Sequence, residues 1–408
     1  NIKEKRRSFF RATIKQIIEK SPYRTIPPCP YFYECGSCQW QHMDYPYQLK
    51  AKKRILAQQI EEISIKPQIS DTLATEDIYH YRNKAQFQIT RHKGNNVSGF
   101  YHPRSHRIVP VEDCYVQPEL SNQITSTILK LMDKYQIAAY LEKTHQGFLK
   151  NIFIRQAYDK NEVIVVFVTT TDDTSKTSLL ATELLEKFPS ISGIIQNINA
   201  LPTNVILGSS DKLLSGRTYI HEQIGHLQLQ IHYRSFFQIN SLQAENICQT
   251  VRQFIEPSNS DTIVDLYCGV GLIGLYLAKD VKKIIGIENN PIALDDARAN
   301  AKLNHIQNAQ FICSSSKESL DQLPSQSIDA LIVDPPRSGL EEDEITKICT
   351  LTPKKIIYVS CHPQSLVRDL EIFINSGYHP EIIQPIDLFP QTSHIESITK
   401  LIPTNLKT

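Results

Sequence analysis

No stretch of about 18 or more uncharged apolar residues occurs in the chain, so a membrane-spanning helix is not expected. No signal peptide opens it, since residues 1–20 are basic and only sporadically apolar. The first residue is Asn1 rather than Met, as a processed or truncated start would leave it. There is no internal repeat or low-complexity tract, so a repeat architecture is not expected. Charge of either sign is not in excess: the formal net charge is +1, which gives no global argument for a nucleic-acid partner. Nine cysteines in 408 residues are too few for a secreted disulfide scaffold.

What is present is a soluble globular composition long enough for two or three cores. Charge is patterned locally. Lys3, Lys5, Arg6, Arg7 and Arg11 form a basic arm, and Lys50, Lys52, Lys53 and Arg54 form a second patch. The segment from Ser21-Pro22 to Pro27-Pro28 is a linker that breaks helix and sheet alike. Tyr45 to Ile63 reads as an amphipathic helix with Pro46 in its first turn. From about 79 to 235 the pattern is strand-rich, with turns at "HKGNN", "DKNE" and "GSSDK" and one helical piece near 116–142. From about 239 the rhythm becomes alternating helices and short apolar strands: "TIVDLYC", "KIIGIE", "AQFIC", "IDALIVD" and "KIIYVS". That alternation predicts a parallel sheet with right-handed crossovers.

The second half carries the chemistry. "DLYCGVGLIGL" follows a strand and opens a helix, so Gly269, Gly271 and Gly274 let the backbone approach a ligand closely. The next strand ends at Glu288, about 20 residues beyond the first glycine, where a carboxylate holds both hydroxyls of a ribose. This pair predicts an adenosine cofactor and does not by itself separate methyl transfer from hydride transfer. Asp334 then ends a strand at "DPP", a rigid exit with no proline N–H to donate, which after a glycine loop favours methyl transfer to a nucleobase or amide nitrogen over hydride transfer. One strand later Cys361 emerges at a carboxyl end and is expected to face the same crevice. A thiolate is the natural nucleophile for C6 of a pyrimidine, and its addition makes C5 able to accept a methyl group. A base must afterwards remove the C5 proton. "HIE" supplies His394 and Glu396, two apart and so on one side of a strand. Glu396 is the better base, and His394 is assigned to shaping the site or touching RNA.

Cys29-x5-Cys35-x2-Cys38, with Cys114 as a fourth ligand, predicts a metal or cluster in a reducing cytoplasm. Spacing alone does not separate structural zinc from an iron–sulfur cluster. Cys248, Cys268, Cys313 and Cys349 read as packing residues.

At this point the chain closely resembles the RNA 5-methyluridine methyltransferase family over nearly its whole length. The likeness rests on "FFQIN" (236–240), "DLYCGVG" (265–271), "DPPRSGL" (334–340), "VSCHPQSLVRDL" (359–370) and "LFPQTSHIESI" (388–398). It implies a Rossmann-like class I methyltransferase domain at 238–408, using S-adenosylmethionine. It also implies a mainly β RNA-binding domain at 26–237 with the cysteine site, and at 1–25 the remnant of an N-terminal TRAM barrel. Gln238, Tyr267, Glu288 and Asp334 would line the cofactor and uracil pockets, with Cys361 as nucleophile and Glu396 as base. In "YRNKAQF", which resembles a central-domain signature, Arg82 and Lys84 would contact phosphate. The cysteines resemble those of the ribosomal-RNA branch, which carries a [4Fe-4S] cluster. The reading is therefore a monomeric enzyme methylating a uridine of 23S ribosomal RNA. Transfer RNA is the alternative target, and a non-catalytic iron–sulfur RNA-binding protein is a further one. Amino-methylation of DNA is disfavoured by Arg337, where such enzymes need an aromatic, and by Cys361, which they do not need. Two positions depart from the family: Leu272 replaces a usual Asn or Thr, and His362 replaces a usual Asn.

Overall fold

A computed structural model describes residues 2–5, 10–12, 14–158, 161–323 and 328–404. Strands β1 (Ile2–Lys5) and β2 (Phe10–Ala12) pair antiparallel, so the expected last barrel strand is a small hairpin; Arg6 and Arg7 lie outside the described residues. The cysteine-bearing loop follows and leads into α1 (Tyr45–Ile60). Asp44 caps that helix by accepting from the Tyr47 N–H at 2.8 Å, and Pro46 sits in the first turn where its missing N–H costs nothing. A two-residue strand, β3 (Gln68–Ile69), comes next.

The central sheet is built from β4 (Lys84–His92), β5 (Asn95–Tyr101) and β6 (Ile108–Pro110), then, after α2 (Glu119–Lys134), β7 (Leu149–Gln156) and β8 (Val163–Thr169). Helix α3 (Thr174–Lys187), β9 (Ile191–Ile198) and β10 (Ser210–Gly216) complete it in the order β10-β9-β8-β7-β4-β5-β6. Val163, Val165 and Phe167 of β8 pack with Ile124, Ile128 and Leu180 of α2 and α3. Ile164 and Val166, on the opposite face, join a second core. Burial on both faces accounts for the unbroken apolar run of β8.

The second core runs on through the hairpin β11 (Tyr219–Ile224) and β12 (Leu227–His232) and through α4 (Ser241–Ile255) into the C-terminal sheet. That sheet alternates β13 (Thr262–Leu266), α5 (Leu272–Leu277), β14 (Lys283–Glu288), α6 (Pro291–Leu303), β15 (Ala309–Cys313) and α7 (Ser316–Leu320). It continues with β16 (Ala330–Val333), α8 (Glu342–Thr350), β17 (Lys355–Ser360), α9 (Pro363–Asn375), β18 (Tyr378–Ile386) and β19 (Glu396–Pro403). The order is β15-β14-β13-β16-β17-β19-β18-β3, parallel from β15 to β17 and antiparallel where β19 enters. The chain reverses direction across the sheet between β13 and β16, and such a switch point opens a crevice at the strand ends.

The first helix does not stay with the central sheet. Leu56, Ile60 and Ile63 share a core with Leu370 and Phe373 of α9, and β3 pairs with β18. Residues 45–69 thus pack on the C-terminal sheet, although they precede the central one in sequence. Among the described residues no helix is long and apolar enough to cross a membrane.

Candidate active site

The crevice begins at the turn after β13. Tyr267, Gly269 and Gly271 have φ of 62°, 53° and 82°, which bends the chain sharply back on itself. The buried Asp265 carboxylate accepts from the Gly274 N–H at 2.9 Å and ties α5 to its strand. A Cβ on Gly269 would meet nothing nearer than Phe236 O at 3.9 Å, so that backbone faces open space. At the end of β14, Glu288 accepts from Gly269 N at 3.0 Å and from Asn290 N at 2.8 Å. Its carboxylate is therefore fixed at the mouth of the turn, half-buried, where a ribose diol would be read. The donor set fits an adenosyl cofactor. Leu272 is buried as the first residue of α5 and packs in the second core.

Tyr267 is oriented by two residues that the sequence did not mark. Its hydroxyl donates to Glu344 Oε1 at 2.7 Å and accepts from Ser316 Oγ at 2.9 Å. Both partners lie on helices, α7 and α8, whose relation to the glycine turn exists only in the folded sheet.

On the other side of the switch point, Asp334 leaves β16 and its Oδ2 accepts from Gln238 Nε2 at 3.0 Å. Gln238 is in turn held by Asn83, whose Nδ2 donates to Gln238 O at 2.7 Å. Ser360 of β17 stands opposite Ser397 of β19 in an antiparallel ladder. Continuing that register by one residue sets Cys361 opposite Glu396, where facing side chains lie close on the same side. Glu396 is 2% exposed and also pairs with Ile386 of β18.

The electrostatics follow from crowding acids into a dry place. Burial raises Asp334 to about 7, against a lowering from the Gln238 amide. Burial, then the Asp334 charge, pushes Glu396 well above the usual carboxylate range. Burial, then Glu396 and Asp334, raises the Cys361 thiol to about 11, and Arg337 opposes that rise. Three acids this close do not all ionise together. His362 takes the cap position of α9, where its Nδ1 accepts from the Ser365 N–H at 3.4 Å. That is a role an Asn side chain performs equally well, so the substitution keeps the cap.

His394 is not on a strand face with Glu396. It precedes β19 on the 387–395 connection, partly open to solvent and partly covered, with its ring edge-on to Phe389 at 5.5 Å. Burial, then Arg337, Lys52, Arg82 and His362, lower its proton affinity, which puts it at the cationic rim of the same crevice. Arg82 and Lys84 are half-buried. The Arg82 charge lies beside Tyr81, Cys114 and Cys38, and burial next to Arg155 and Arg82 lowers Lys84 to about 8.

Cys29, Cys35, Cys38 and Cys114 line one small cavity together with Tyr31, Phe32 and Val116. The loop is turned by backbone bonds, with Phe32 N donating to Cys29 O at 3.2 Å and Gln117 N to Cys114 O at 3.0 Å, and Gln41 Oε1 accepts from Cys29 N at 3.3 Å. Four free thiols on one cavity are the donor chemistry of a thiolate-held centre. Among the described residues, however, no group of three or more His, Cys, Asp or Glu has the arrangement that holds a single metal ion. Cys248 and Cys268 are buried, as packing residues should be; Cys313 is a correction, being exposed at the end of β15.

Comparison with known proteins gives the family and the fold. A family model described as tRNA (Uracil-5-)-methyltransferase matches residues 44–402. An RNA methyltransferase of Clostridium acetobutylicum is 37% identical over 398 residues, covering 96% of this chain and 86% of that protein. One from Oceanobacillus iheyensis is 36% identical over 400 residues, covering 97% and 87%. Among solved structures, the Pyrococcus abyssi tRNA (uracil-54, C5)-methyltransferase in complex with S-adenosyl-L-homocysteine superposes with a TM-score of 0.79 at 26% identity. That match covers 98% of this chain and 91% of the other.

Proposed function

The chain belongs to the tRNA (uracil-5-)-methyltransferase family, and on that footing we propose that it methylates C5 of a uridine in 23S ribosomal RNA. The observation that carries the chemistry is the β17–β19 register, which brings Cys361 and Glu396 face to face next to Asp334. S-adenosylmethionine, when bound, supplies an electrophilic methyl group. Glu288 and the Gly269–Gly271 turn hold its adenosyl part, and Tyr267, Gln238 and Asp334 line the space between it and the base.

Cys361, once ionised to the thiolate, adds through Sγ to C6 of the uracil, and the C5–C6 π electrons move so that C5 becomes the nucleophile for the methyl group, with S-adenosylhomocysteine as the leaving group. Glu396 then takes the C5 proton, the C5=C6 bond reforms, and the C6–S bond breaks to return the thiolate. Asp334, raised to about 7, is partly protonated near neutral pH, which reduces the negative charge that the Cys361 thiolate has to face. A stacked uridine cannot reach Cys361, so the base is flipped out at a cost of a few kcal/mol, offset by contacts at the rim such as His394.

Ribosomal RNA is supported by the four cysteines on one cavity, read as the ligands of a structural [4Fe-4S] cluster, since the resemblance ties such a cluster to the ribosomal-RNA branch. No step of the reaction passes through that cluster. A second reading, transfer RNA, is favoured by the likeness to the Pyrococcus abyssi enzyme. Mapping 5-methyluridine in ribosomal and transfer RNA from cells with and without the protein separates the two. Loss at one uridine of 23S RNA is expected; loss in transfer RNA alone overturns the ribosomal reading. Cys361→Ala should abolish methyl transfer, and Glu396→Gln should accumulate a methylated RNA–protein adduct that survives denaturing gels.

A further inference from the structure

The connection that delivers Glu396 is held from a distant part of the chain. It spans residues 387–395, from the end of β18 to the start of β19. Lys52 of α1 and Asp387 are both fully buried, and the Lys52 ammonium pairs with Asp387 Oδ1 at 2.5 Å. The same ammonium donates to Phe389 O at 3.0 Å. One helical turn earlier, Gln48 makes a reciprocal pair with Gln391. Its Nε2 donates to Gln391 Oε1 at 3.0 Å, and its Oε1 accepts from Gln391 N at 3.1 Å. The Gln39 and Trp40 N–H groups donate to Gln391 O at 3.1 and 3.0 Å, and the Tyr81 hydroxyl donates to Pro390 O at 3.2 Å. Four of the five residues from Asp387 to Gln391, all but Leu388, are thus bonded by groups from residues 39–81.

Apolar packing alone would anchor α1 without the desolvation that a buried ion pair costs. The polar clamp adds direction, because each bond specifies one position of the connection relative to α1. Glu396 lies at the exit of that connection and has to meet the C5 proton within hydrogen-bond reach. We propose that Lys52 and Gln48 are positioning residues that hold the 387–395 connection so that Glu396 is set for the elimination step. Neither residue is assigned a contact with substrate. This inference rests on Glu396 being the base.

The test uses the full chain with RNA and radiolabelled S-adenosylmethionine in single-turnover reactions. Label reaching RNA is read separately from release of RNA from its protein adduct. Lys52→Met alone would strand the Asp387 charge, so the paired variant Lys52→Met/Asp387→Leu is used beside Gln48→Leu. In both, labelling of the RNA should stay near the native rate while release slows by about tenfold or more, as small misplacements of a catalytic group do. A methylated adduct then accumulates, as it does with Glu396→Gln. Release at the native rate in folded variants overturns the proposal. So does an equal slowing of every step alongside a lowered melting temperature, which would mean α1 merely supports the fold. If Glu396→Gln itself retains full activity and forms no adduct, the assignment of the base fails instead.

Discussion

Apart from burial, the Glu396 carboxyl is the strongest influence raising the Cys361 thiol, and the two groups face each other across the end of the β17–β19 ladder. The base that ends the reaction therefore holds back the nucleophile that begins it. A thiol raised to about 11 is almost wholly protonated at neutral pH, and thiolate appears only as pH climbs towards that value. Without RNA, alkylation of Cys361 by iodoacetamide, followed by mass spectrometry of its peptide, should keep rising well past pH 9. Glu396→Gln removes a like charge and should move the curve to lower pH. Arg337→Gln removes the opposing charge and should move it higher. A wild-type midpoint at the ordinary thiol value would refute this account.

Glu288 is predicted to serve the cofactor and not the fold. Its carboxylate bonds two half-exposed backbone N–H groups that water can satisfy in its absence. Glu288→Ala should weaken S-adenosylhomocysteine binding by roughly 1.5–3 kcal/mol, about 10- to 150-fold, as expected for lost bonds to a charged acceptor. Calorimetric titration measures this. An unchanged affinity would remove Glu288 from the pocket.

The two glycines of the turn should fail differently. A Cβ at Gly271 would sit 3.1 Å from Ala297 Cβ and from Leu275 Cδ1 at φ 82°, so Gly271→Ala should cost stability by about 1–2 kcal/mol. Gly269→Ala meets open space. It should melt closer to the wild type while losing cofactor affinity, because the new methyl group occupies the side that the ligand approaches. Thermal melts with and without cofactor distinguish the two, and equal melting losses would contradict the assignment.

Protein purified without oxygen should be brown and hold iron and acid-labile sulfide in equal amounts. Cys38→Ser and Cys114→Ser should lose both, because each removes a thiol from the one cavity all four share. A colourless anaerobic protein containing zinc would rule out the cluster. Since Gln39 and Trp40 follow Cys38 and bond Gln391, the same variants should also loosen the 387–395 connection, measurable as faster hydrogen exchange there.

Much was legible in local pattern. Strand–helix alternation from 262 onward predicted the parallel sheet, because buried parallel strands must be continuously apolar and their crossovers amphipathic. The glycine turn, Glu288, Asp334 and Cys361 could be named because each sits at a strand end, a position visible as the edge of an apolar run. Pairings between distant segments were not legible. Nothing local in α1 says that Lys52 meets Asp387, or that residues 45–69 pass over the central domain to join the last sheet. Ser316 and Glu344 were missed for the same reason.

By itself, the amino-acid sequence determined which residues are chemically able to act: a thiol, a carboxylate and a glycine turn at the ends of apolar strands. Only the tertiary structure decided which of them meet. The antiparallel entry of β19 sets Cys361 against Glu396, whereas His394, two residues away from Glu396, is left at the rim. Register is a relation between chains of atoms far apart in sequence, and it is fixed by packing and backbone bonding that no local pattern encodes.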